Sequence, residues 1–91
     1  MSRFWADDLL QVIRRDFQGE HQGRNRVIID ERTFISIRLN GDFVQVQVGD
    51  LDSSPVDFQA FEFDSVTTSI DDAARSVQHS IRCLQSNSEV A

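Results

Sequence analysis

Apolar residues recur at helical spacing near the start of the chain. Trp5, Leu9, Val12, Ile13 and Phe17 line one face, while Gln11, Arg14 and Arg15 fall opposite. The pattern predicts a helix over roughly residues 3–17, with Ser2 as N-cap and Asp7 and Asp8 near its positive end. Residues 18–25 follow, with two Gly and no apolar side chain, and read as a loop. From Arg26 the period changes to two. β-Branched residues predict a strand to about Asp30, then a tight turn over Asp30-Glu31-Arg32-Thr33.

The strongest local signal is Asn40-Gly41 between two alternating runs, the preferred pair for a type I′ hairpin turn. Placing both at the central turn positions sets Leu39 opposite Asp42, Arg38 opposite Phe43, Ile37 opposite Val44 and Ile35 opposite Val46. Ile35, Ile37, Val44, Val46 and Val48 then share one face. A one-residue slip would scatter them over both. Gly49 to Val56 reads as a loop, and Phe58 to Phe63 as a fourth strand with imperfect alternation. Ile70, Ala74, Val77, Ile81 and Leu84 predict a second helix from about Ile70 to Gln85, with Ser69 and Asp72 in a capping-box arrangement.

The expected fold is therefore α+β: a single antiparallel β-meander of three to four strands flanked by N- and C-terminal helices, in the order α-β-β-β-β-α. One domain over residues 1–85, with a disordered tail at 86–91, accounts for all 91 residues. There is no internal repeat and no low-complexity tract.

Charge changes this picture from a fold to a surface. The formal net charge is −6, and all nine basic residues are Arg. Up to Gly41 there are seven Arg against six acids; from Asp42 onward there are two against nine. Asp42, Asp50, Asp52, Asp57, Glu62, Asp64, Asp71 and Asp72 form an unbroken series with no base between them. Such a series suits docking to a basic partner, a nucleic-acid-handling protein for example, with carboxylates standing in for phosphates. For any single acid the plainer reading is a solvated surface. The overall sign argues against non-specific nucleic-acid binding.

The hairpin register leaves a second sheet face carrying Phe34, Ser36, Arg38, Phe43, Gln45 and Gln47, with Val27 and Ile29 expected alongside. Two Phe and two β-branched residues are more than a solvated face needs. Two readings stand: a helix covers this face, or it contacts another protein or a second copy of the chain. Arg38, Phe34 and Phe43 also offer a runner-up, a platform on which single-stranded bases stack.

Other chemistry is sparse. No nucleophile elbow, P-loop or Gly-rich phosphate cradle occurs, so neither a catalytic residue nor a cofactor is assigned. Asp50-Leu51-Asp52 starts like a calcium loop, but Pro55 stands where Gly is needed and Phe61 where the closing Glu belongs. His79 and Cys83 lie one helical turn apart, two ligands where structural zinc needs four. No apolar run reaches the length of a membrane span, and the N-terminal segment carries acids where a signal peptide is apolar. With a single Cys, a cytoplasmic location is expected.

In scale, acidity and layout the chain is similar to small phage-encoded inhibitors, anti-CRISPR proteins among them. That likeness implies a non-enzymatic inhibitor or adaptor that blocks a partner's basic surface. Those proteins share no common motif, so no residue role is carried over.

Overall fold

The computed structural model describes residues 2–30, 33–50 and 58–90. Helix α1 spans Ser2–Phe17 and is followed by five strands, β1 (Glu20–His21), β2 (Arg26–Ile28), β3 (Thr33–Asn40), β4 (Phe43–Asp50) and β5 (Phe58–Asp64). Helix α2 runs Ile70–Val90, past the Gln85 end read from its apolar stripe. The strands form one sheet in sequence order, each antiparallel to the next, so the expected meander is present with one strand more than anticipated.

The additional strand is β1, in the segment read as a loop. Glu20 and His21 are exposed and show no alternation, so pattern alone has nothing to detect. What places them is the end of α1. The N–H of Gly19 bonds to the Arg14 carbonyl at 2.9 Å and that of Gln18 to the Arg15 carbonyl at 3.4 Å, which is a Schellman closure with Gln18 in the left-handed region (φ 54°). The chain then turns directly onto β2, where Glu20 pairs with Ile28 and His21 with Val27.

Both helices lie on one side of the sheet. Ala6, Leu9, Leu10 and Ile13 of α1 and Ala73, Ala74, Val77 and Ile81 of α2 form one buried cluster with Val27, Ile35, Ile37, Val44, Val46 and Val48. Trp5, Phe61 and Phe63 pack at its margin; the Trp5 ring lies 6.0 Å from Phe63, and its Nε1–H donates to the Thr68 carbonyl at 2.9 Å. Ser80, buried in α2, donates its hydroxyl to the Gln59 amide oxygen and so ties the helix to β5. No buried side-chain polar atom lacks a partner among the described residues.

The hairpin differs from its expected register by two residues. Asn40 pairs with Phe43, Leu39 with Val44, Ile37 with Val46 and Ile35 with Val48. The two turn residues are thus Gly41 and Asp42. Gly41 has φ 62°, whereas neither Asn40 nor Asp42 has positive φ, the pattern of a type II′ turn with Gly at its first central position. Asn40 remains in the strand. The Asp42 carbonyl is held by both the N–H (2.9 Å) and the Oγ (2.7 Å) of Ser65, which anchors the turn to the end of β5. A shift of two keeps every side chain on its face, so the same residues form the core face in either register.

Val27 and Ile29 depart from expectation. Val27 pairs with Ile35 and is fully buried in the core, and Ile29, just beyond β2, joins the same cluster. The turn expected over Asp30-Glu31-Arg32-Thr33 includes two residues outside the described ones; its described ends are tied by the Ile29 N–H to the Thr33 carbonyl and by the Thr33 N–H to Asp30 Oδ1, both at 2.8 Å. The apolar residue of β2 that lies on the second face, together with Arg26, is Ile28, opposite Phe34.

Candidate functional site

With both helices on one side, no helix among the described residues lies against the other side of the sheet. Its side chains form rows across the strands. One row is Arg26 (β2), Ser36 (β3), Gln47 (β4) and Ala60 (β5); the next is Arg38, Gln45 and Glu62; the row at the hairpin end is Asn40, Phe43 and Asp64. Arg38, Phe43, Gln47, Ala60 and Glu62 are exposed, and Gln45 and Ser36 half-buried. Phe43 is 44% exposed, more than a fold-stabilising Phe on a strand requires. A depression of about 260 Å³ between β3 and β4 is lined by Ser36, Ile37, Arg38, Gln45 and Gln47.

Phe34 lies on this face but is only 7% exposed. The Arg26 guanidinium sits over its ring, 4.4 Å from the centroid, and Gly49 is its partner on β4. A base stack on Phe34 is therefore blocked, and Phe43 is the one aromatic of the expected platform that presents its ring. Arg26 is fixed in this position by a second contact, from its Nη1 to the Gln22 amide oxygen at 3.2 Å.

The acidic series does not form one patch. Asp42 and Asp50 lie at opposite ends of β4, roughly 25 Å apart at about 3.3 Å per residue. Asp52 and Asp57 lie outside the described residues. Asp64 stands opposite Phe43 at the hairpin end, Asp71 and Asp72 open α2, and each of the three has a local role. The Asp64 carboxylate accepts from the Val66 N–H at 2.9 Å, and its carbonyl accepts from Thr67 and Thr68, closing the turn into α2. Asp71 and Asp72 occupy the first turn of α2, where carboxylates complement the helix dipole, and the Asp72 N–H donates to the Ser69 Oγ cap at 3.2 Å. Glu62 differs from these: it sits on the open face, accepting from Gln45 Nε2 at 3.3 Å.

The face is consequently graded in charge. From β2 to β5, the basic groups Arg26 and Arg38 stand on β2 and β3, amides occupy β4, and the acids Glu62 and Asp64 stand on β5; Glu20, opposite Ile28 on the edge strand β1, adds one acid beyond the basic side. Charge counted along the chain locates the asymmetry but not this arrangement, which depends on which strands are neighbours.

No family model matches this chain, and neither a curated protein nor a solved structure shows significant similarity to it.

Elsewhere the surface carries little chemistry. His79 and Cys83 touch at 3.6 Å on the outer side of α2. Among the described residues, no three His, Cys, Asp or Glu side chains converge as metal ligands, and no helix is long and apolar enough to cross a membrane. Beside α1, Asp7, Leu10, Gln11, His21 and Arg24 line an open cleft. There Asp7 is shared between Arg3 at 3.4 Å and Arg24 at 3.9 Å, a surface network weakened by solvent.

Proposed function

We propose that the chain is a non-enzymatic protein-binding module that engages another protein chain through the helix-free face of its sheet. The observation that carries this reading is the half-exposed Phe43 ring, with Arg38, Gln45, Gln47 and Glu62 around it on the adjacent strands β3, β4 and β5. Aromatic and Arg side chains supply most of the energy at protein interfaces, and amides satisfy hydrogen bonds around them. A sheet face also presents its side chains without the ordering cost of a loop. Action as an inhibitor or adaptor would consist of occupying a partner's surface rather than transforming it.

A tagged chain carrying Phe43→Asp tests the reading against the wild type. The wild type should retain a protein, either one from the native host or its own untagged copy, and the variant should lose it while its melting temperature stays within a few degrees. Equal retention by both would place the binding surface elsewhere. The same pair of proteins separates this reading from single-strand nucleic-acid binding: a gel shift at low salt that vanishes on Phe43→Ala would favour the nucleic-acid alternative.

A further inference from the structure

The graded charge of the open face points to its occupant. We infer that the partner is a second copy of this chain, packed sheet to sheet about a twofold axis that runs along β4; the inference rests on the reading of this face as a protein-binding surface. A twofold interface brings the same patch of both copies together, so it must be complementary to itself. With the axis along β4, each strand to one side of β4 faces the strand on the other side in the second copy. β3 then lies over β5 of the second copy, and β5 over its β3.

The rows decide the chemistry of that arrangement. In the middle row Arg38 meets Glu62 of the other copy, Glu62 meets its Arg38, and Gln45 meets Gln45 on the axis. In the hairpin-end row Asn40 meets Asp64, and Phe43 meets Phe43. Glu62, which already accepts from Gln45, gains an Arg, Asp64 gains an Asn, Glu20 on the edge strand β1 falls outside the overlap, and the exposed aromatic ring is covered by its own image. A twofold axis across the strands would instead set β5 over β5, bringing Glu62 and Asp64 against acids. Like charges in contact oppose docking strongly. The gradient therefore selects one axis and excludes the other. Stacked sheets stand about 10 Å apart, a gap that an Arg and a Glu side chain bridge by extending toward each other.

Each copy carries a net charge of −6, so approach is opposed at low ionic strength. At 0.15 M salt the screening length is about 8 Å, which damps that repulsion more than it damps ion pairs in contact.

Charge swapping tests the inference on the purified full chain by sedimentation velocity at 0.15 M salt, over micromolar to millimolar concentrations. The wild type should show a concentration-dependent dimer. Arg38→Glu and Glu62→Arg should each weaken it by more than about tenfold, since each then opposes like charges twice. Mixed together, these two variants should form a heterodimer, because one chain then carries acids at both positions 38 and 62 and the other carries bases at both. The double variant Arg38→Glu/Glu62→Arg should dimerise as the wild type does. Circular dichroism on each variant checks that the fold is kept.

A wild type that is monomeric throughout overturns the inference. So does a dimer indifferent to both single changes, or a mixture that fails to associate. A monomer that still captures a host protein in a Phe43-dependent manner overturns only the second-copy occupant, and the protein-binding reading of the face stands.

Discussion

At Gly19 the chain has no room for a side chain. A Cβ there would stand 2.7 Å from the Ile28 carbonyl oxygen and 2.9 Å from Val27 Cγ1, and backbone cannot yield as a flexible side chain does. Gly19→Ala should therefore destabilise the fold by about 1–3 kcal/mol, the usual range for overpacking, measurable by urea denaturation. Its neighbour invites the opposite change. Gln18 holds φ 54° at the Schellman position, a conformation that costs a non-glycine residue about 1 kcal/mol. Gln18→Gly should leave stability unchanged or raise it by up to about 1 kcal/mol. A clear loss would mean that the Gln18 side chain makes a compensating contact. Sequence marked neither residue, because Gly-rich loops and close backbone approaches read alike until the neighbouring strand is known.

Elements are held by their ends as much as by their faces. The N-terminus of α2 begins at a cap that was legible in sequence: Ser69 accepts from the Asp72 N–H at 3.2 Å, and its carbonyl takes the Ala73 N–H at 3.1 Å. Ser69→Ala should cost about 1 kcal/mol, read as a lower midpoint of thermal or urea unfolding. The hairpin shows a different outcome. Asn40-Gly41 correctly announced a two-residue turn, yet the turn formed one residue later, on Gly41-Asp42. Gly serves the first position of a type II′ turn as readily as the second of a type I′ turn, and the two readings differ by two in register. The Ser65 contacts to the Asp42 carbonyl come from beyond β5, so a local motif could not have weighed them.

For the whole molecule, one core lies between one layer of helices and one sheet. Ile81, fully buried in α2, packs into the same cluster as Ile13 of α1 and the β3–β4 residues. Ile81→Ala should cost about 2–5 kcal/mol, a large share of the roughly 5–15 kcal/mol that stabilises a domain. Denaturant titration by circular dichroism would show it, and a loss under about 1 kcal/mol would mean that the helix layer is not the principal cover of the sheet. By contrast Phe43→Ala removes a ring that is 44% exposed, and its effect on the stability of the isolated chain should stay below about 1 kcal/mol. The contrast separates residues that hold the fold from residues that face outward for another purpose.

Much of this protein was determined by sequence alone. Helix stripes at Leu9–Ile13 and Val77–Ile81, alternation through β3 and β4, and the run at Phe58–Phe63 are periodic signals, and period is set by backbone geometry before any tertiary contact forms. The identity of the core face followed, since registers two apart bury the same side chains. Tertiary structure decided what periodicity cannot carry: that both helices choose one side of the sheet, that Val27 turns inward while Phe34 is covered by Arg26, and that Asp42 and Asp50 stand at opposite ends of β4. It also set Arg38, Gln45 and Glu62 in one row. Those three are spaced unevenly along the chain, and only strand pairing makes them neighbours. The charge asymmetry of the sequence became, through that pairing, a gradient across a single open face.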